Sequence, residues 1–175
     1  MAMSVVQWVG VAGVAAAASI GDLRTSRIPN ALTLGAALAG VCYATLHAGI
    51  GGLGSSLLGW LLGLGLFLPL FALGGMGAGD VKLLAAFGAW LGPVGVLWAA
   101  LWASLAGGAL ALAVSARRGY LLEACRNVAA MTGVWRAVGP SRIPSMTLKE
   151  SAGPRLAYAV PIGIGAIVSL WFSVG

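Results

Sequence analysis

The chain has 175 residues, 60% of them apolar and only 8% charged, against about 25% charged in soluble domains. So few charges cannot cover a wetted surface, which excludes a soluble globular domain and makes this a polytopic membrane protein. The net charge of +6 raises nucleic-acid binding, but its meaning depends on where the charges fall along the chain.

A helix crossing the hydrocarbon core needs about 20 apolar residues. Residues 4–20 form the first such run. The stretch Met1 to Trp8 has no Lys or Arg, so the basic start of a signal peptide is missing and the run reads as a retained helix. It is expected to stop at Gly21-Asp22-Leu23-Arg24-Thr25-Ser26-Arg27-Ile28-Pro29-Asn30. A second run covers 31–48, an uncharged Gly- and Ser-rich turn 49–56, and a third run 57–73. The glycine run from Gly74 then delivers Asp80 to the start of the next apolar segment. Residues 81–114 are too long for one crossing and short for two. Gly92-Pro93 divides them, because proline lacks an amide donor and restricts the residue before it. The reading is a short fourth helix at 80–91, a fifth at 94–115 and a sixth at 156–174. The expected fold is all-α: one membrane domain over 1–175 with six transmembrane helices.

Charge placement supports that count. With six crossings, the segments 21–30, 74–82 and 116–155 share one side. They hold Arg24, Arg27, Lys82 and seven basic residues from Arg117 to Arg155, which is every Lys and Arg in the chain. The positive-inside rule places these segments in the cytoplasm and both termini outside. The charge is thus a topology signal, and no nucleic-acid partner is needed to explain it. Within 116–155, Leu121, Cys125, Val128, Met131 and Trp135 recur at helical spacing beside arginines, the pattern of an amphipathic helix on an anionic surface. Pro140, Pro144 and Pro154 with nearby serines read as a linker. Cys42 and Cys125 lie in unlike surroundings and are not expected to pair. With His47 they are too few for a structural zinc site, so no metal or other cofactor is expected.

Asp22 and Asp80 are the chain's two aspartates. The topology puts both on the cytoplasmic face, close to the hydrocarbon edge, where an ionisable side chain costs free energy and reads as functional. Two carboxylates brought together share one proton. The ionised member can draw a proton from water and the protonated one can donate to a peptide carbonyl or leaving amine. The structural reading of each alone is plainer: Asp80 as a helix N-cap, Asp22 as an ion pair with Arg24 or Arg27. Gly77 and Gly79 either pack small or allow close approach beside the carboxylate. Lys82 either anchors the inner boundary or biases the acid pair.

The segments Gly77-Ala78-Gly79-Asp80-Val81-Lys82 and Asp22-Leu23-Arg24-Thr25-Ser26-Arg27-Ile28-Pro29-Asn30 resemble the two motifs of the type IV prepilin peptidases, within the GxGD group of intramembrane aspartyl proteases. The resemblance implies that Asp22 and Asp80 are the catalytic pair. It implies that Gly77, Gly79, Lys82, Arg24, Pro29 and Asn30 support them. The implied substrates are prepilin or pseudopilin precursors cut at the cytoplasmic face of a bacterial inner membrane. Larger members carry an extra cytoplasmic domain with paired cysteines and also N-methylate the product. This chain lacks that insertion, is similar to the short enzymes of tight-adherence (Flp-type) pilus systems, and is expected to cut without methylating. Two other classes compete. A small proton-coupled transporter would need a polar path to the far side, and a non-catalytic pilus-assembly subunit would have little need for both acids.

Overall fold

A computed structural model describes residues 4–119, 121–139 and 157–172. Among them the regular structure is entirely helical: α1 (Val5–Thr25), α2 (Asn30–Ala72), α3 (Ala78–Arg117), α4 (Leu121–Val138) and α5 (Ala159–Phe172). The first three are long and apolar enough to cross a membrane, and α5 is a shorter apolar helix.

A straight helix of 43 residues, the length of α2, would be about 64 Å long, roughly twice the hydrocarbon core. Instead α2 breaks at Ala48 (φ −132°) and Gly49 (φ 57°), and α3 breaks at Gly92 (φ 70°) ahead of Pro93. Glycine takes the left-handed conformation that other residues resist.

Contacts fix the direction of each arm. In the first arm of α2, Asn30 meets Lys82 and Gly40 meets Trp90, so this arm runs parallel to the first arm of α3. In the second, Ser56 meets Ala89 and Gly63 meets Ala85, so that arm runs antiparallel to it. The chain therefore reverses at Ala48-Gly49. By the same logic, Gly10 of α1 lies against Trp90, and the Gly107–Tyr158 and Trp98–Phe172 contacts set α5 antiparallel to the second arm of α3. Trp8 packs edge-on against Trp171 and Gly163 sits on Ala15, so α5 also runs antiparallel to α1. The two arms of α3 thus reverse at Gly92.

The α3 break leaves polar groups that lipid cannot satisfy. Pro93 has no N–H to offer the carbonyl four residues back, at Ala89. The Ser56 hydroxyl donates to that carbonyl instead, at 2.7 Å. The neighbouring Trp90 carbonyl accepts from Gln7 Nε2 at 3.1 Å. Gln7 is itself fixed by the Ser4 cap that opens α1, its backbone N–H donating to the Ser4 hydroxyl at 3.2 Å.

Helices in a bilayer gain little from excluding water, so their association rests on close packing of small residues. The first arm of α3 is the centre of that packing: Leu83, Leu84, Ala85, Ala86 and Phe87 are fully buried. The backbones of Gly59 and Gly88 touch, and a Cβ at either would lie 2.1 Å from the other's carbonyl oxygen. Large apolar residues such as Leu34, Leu46, Leu61 and Leu105 point outward, as lipid-facing residues do.

Two details differ from the sequence reading. α1 continues past Ile20 to Thr25, because Asp22 and Arg24 are charged without being helix breakers, and Ser26 in the left-handed conformation ends it. Asp22 therefore lies inside the last turn of α1. Residues 50–56 are helical, and the expected Gly/Ser turn contracts to Ala48-Gly49. Within 116–155 the helix expected through Leu121 and Trp135 is present as the 18-residue α4; the linker read from Pro140, Pro144 and Pro154 lies outside the described residues. Cys42 and Cys125 are both free and exposed.

Overpacking a close backbone contact costs about 1–3 kcal/mol or more. Gly88→Val is therefore expected to lower the thermal unfolding midpoint of the detergent-solubilised protein clearly, while Gly108→Val, where nothing lies within 4 Å of the added carbon, leaves it nearly unchanged.

Candidate active site

The two aspartates meet at one end of the bundle. Asp22 comes from the last turn of α1 and is 9% exposed. Its backbone carbonyl accepts from Ser26 N–H at 2.8 Å, which closes the helix. The Thr25 hydroxyl lies 2.8 Å from the Gly21 carbonyl and 3.2 Å from that of Arg27. The Asp22 side chain does not turn to the exposed Arg24 or Arg27. Its Oδ2 accepts from the backbone N–H of Ala159, at the start of α5, at 3.1 Å in a buried setting.

Asp80 is the third residue of α3. Its Oδ2 accepts from the Gly77 N–H at 3.2 Å, and an acid in a first helical turn also suits the helix dipole. Asp80 is thus not the N-cap that its plain structural reading expects: Gly77 takes that place, and Asp80, in the first turn, reaches back to cap the Gly77 amide. It is also close enough to Asp22 for the two charges to act on one another. The cap and the pairing coexist because capping uses one oxygen of the carboxylate.

Two contacts lock the motifs together. A Cβ on Gly79 would come within 3.2 Å of the Ile28 Cβ, so glycine at this position lets the segment before α2 lie on the start of α3. Lys82 Nζ donates to Asn30 Oδ1 at 2.9 Å, tying the end of the first motif to the end of the second. Gly77 has its own constraint: a Cβ there would lie 3.0 Å from Asp80 Oδ2. Pro29, with φ at −61°, starts α2, and its carbonyl accepts from the Leu32 and Thr33 amides. Arg24 is exposed and forms no hydrogen bond with its side chain among the described residues. Of the residues singled out from sequence, the structure thus gathers Asp22, Asp80, Gly77, Gly79, Lys82, Pro29 and Asn30 and leaves Arg24 at the surface. A half-open groove of about 390 Å³ runs beside Asn30 and Lys82, walled by Leu34, Ala37 and Trp60.

Sequence reasoning missed Ala159. A backbone donor carries no side-chain signature, and the pairing spans 137 residues. It also missed Tyr158, half-buried and within electrostatic range of Asp80.

A helical membrane bundle with two carboxylates converging at one end defines a class of intramembrane site, and comparison with known proteins narrows it. The profile of the type IV leader peptidase family matches residues 9–112, and the chain belongs to that family. It is 40% identical over 103 residues to the prepilin leader peptidase/N-methyltransferase of Burkholderia pseudomallei strain 1026b, and equally to that of strain K96243. The match covers 55% of this chain and 33% of each relative, so the chain spans about a third of their length. No solved structure matches.

Asp22→Asn keeps an oxygen to accept the Ala159 N–H, whereas Asp22→Leu leaves that buried donor unpaired, at a cost of about 1–3 kcal/mol. Thermal unfolding in detergent is expected to rank the leucine variant clearly below the asparagine variant.

Proposed function

We propose that this protein is a membrane-embedded aspartic endopeptidase that removes the leader of prepilin-like precursors, with Asp22 and Asp80 as its catalytic pair. One observation carries the reading: two aspartates from separate apolar helices, with no other Asp in the chain, converge within range of each other's charge. Membership of the type IV leader peptidase family and the names of the relatives support the substrate class.

In the proposed mechanism the pair shares one proton. The ionised carboxylate takes a proton from a water molecule as its oxygen attacks the scissile carbonyl carbon. The protonated carboxylate gives its proton to the carbonyl oxygen. The acid that took the water's proton then gives it to the leaving nitrogen, and the C–N bond breaks as the other carboxylate takes a hydroxyl proton from the tetrahedral intermediate, which restores the shared proton. Ala159 and Gly77 each engage one carboxylate oxygen, which leaves the other oxygen of each acid for substrate and water. The peptide must be unwound at the cut, because a helix hides its amides in its own hydrogen bonds.

The proposed topology has six crossings: α1, the two arms of α2, the two arms of α3 with a short first arm, and α5. Both termini lie on the periplasmic side of a bacterial inner membrane, and the aspartates face the cytoplasm. The placement of every Lys and Arg supports this. We assign it peptidase activity without N-methylation, as its resemblance to the short enzymes of tight-adherence pilus systems implies.

One feature counts against a proton-coupled transporter. A cavity of about 540 Å³ at the opposite end is lined by Ser4, Gln7, Tyr43, His47, Ser55 and Ser56. Between it and the aspartates stand the fully buried Val11, Leu83, Leu84 and Phe87, an apolar plug that carries no protons.

Co-expression with a precursor bearing a basic leader and an apolar segment tests the assignment. Asp22→Ala and Asp80→Ala are each expected to abolish leader removal while the protein remains in the membrane. N-terminal sequencing reads the cut and mass spectrometry the unmethylated product. Cleavage by either variant would remove that residue from the mechanism. Topology is tested through Cys125 in a Cys42→Ala background. A membrane-impermeant thiol reagent is expected to label it in inverted vesicles and not in intact spheroplasts.

A further inference from the structure

We propose that Tyr158, seated on Gly107, is a positioning residue that aims the Ala159 N–H at Asp22. The proposal rests on the reading of Asp22 and Asp80 as the catalytic pair and adds a third element, the start of α5, to their machinery.

The first N–H groups of a helix have no partner within it. At the start of α5 one of them, that of Ala159, goes to Asp22 Oδ2. Its direction is set by the peptide unit joining Tyr158 to Ala159, which is planar and turns only as a whole. The other end of that unit is held too: the Tyr158 carbonyl accepts from the Ile162 N–H at 3.2 Å. What remains is rotation of the unit about its neighbours, and the Tyr158 side chain limits it. The ring packs into the space left by Gly107 in the second arm of α3. A Cβ on that glycine would come within 3.1 Å of the ring Cε1 and 3.6 Å of Cζ. The Pro161 ring closes the same pocket from the next turn, 3.7 Å from that point. The ring packs against the main apolar core, and the phenol stays within electrostatic range of Asp80. A glycine in α3 thus seats an aromatic ring, the ring fixes a peptide plane, and the plane orients one catalytic carboxylate.

A misplacement of about 1 Å in such machinery costs on the order of 100-fold in rate. The test uses the purified full chain in liposomes and a synthetic precursor peptide. Tyr158→Leu keeps an apolar side chain in the core but not the flat ring. It is expected to lower kcat about 10- to 100-fold with KM within about twofold, and Tyr158→Phe is expected to recover most of that loss. Gly107→Val, which displaces the ring, is expected to lower kcat by a similar factor. Because both act through one contact, the double variant Gly107→Val/Tyr158→Leu is expected to lose little more than either alone. Wild-type kcat in Tyr158→Leu, a change confined to KM, or losses that multiply in the double variant overturn the proposal. Asp22→Ala, assayed alongside, separates the two claims. If it still cuts, the catalytic pair itself is wrong. If it is inactive while Tyr158→Leu turns over normally, only the positioning role falls.

Discussion

The structure depends on how closely the first arm of α3 is approached by its neighbours. Gly59 meets Gly88 backbone to backbone, Gly63 lies on Leu84 and Ala85, and Gly40 lies on Ala89 and Trp90. No side chain intervenes at Gly59 or Gly63, and at Gly40 the Trp90 ring fills the contact, so the arm has little room to slide or rotate. Asp80 sits at the near end of this arm, and its position is fixed by the same contacts. Hydrophobicity alone does not achieve this in lipid, where an outward leucine is as well solvated as an inward one. The glycines decide which faces meet, and through them where a carboxylate comes to rest.

A second constraint is the satisfaction of backbone polar groups. The break in α3 frees carbonyls, and two of them are answered by side chains from other helices. Ser56 serves Ala89 and Gln7 serves Trp90. These bonds stand at the far end from the aspartates and hold the reversal of α3. The near end is held by the Lys82–Asn30 bond and the Ile28 contact with Gly79. The first arm of α3 is therefore pinned at both ends by polar contacts and along its length by small residues.

Much of this was legible in the chain. Apolar run length gave the helical architecture, and Gly92-Pro93 gave the break in α3, because proline chemistry acts locally. The two aspartates stood out through their scarcity. Other features were not legible. The end of α1 is hidden because charge reads as a stop signal, although Leu23 and Arg24 are good helix formers. The helical state of residues 50–56 is hidden because glycine and serine in membrane helices serve packing as well as turning. The pairing of Asp22 with Ala159 was invisible because its donor belongs to the backbone, and Gly107 looked like any other glycine in an apolar run.

The family profile matches residues 9–112, yet the group that holds Asp22 belongs to a helix beginning at Ala159. During synthesis both acids leave the ribosome well before that helix does. A nascent chain that has inserted α1 through α3 already carries two protonatable groups but not the amide that orients one of them. On the proposed reading, the site is therefore completed only when the last described helix has been made.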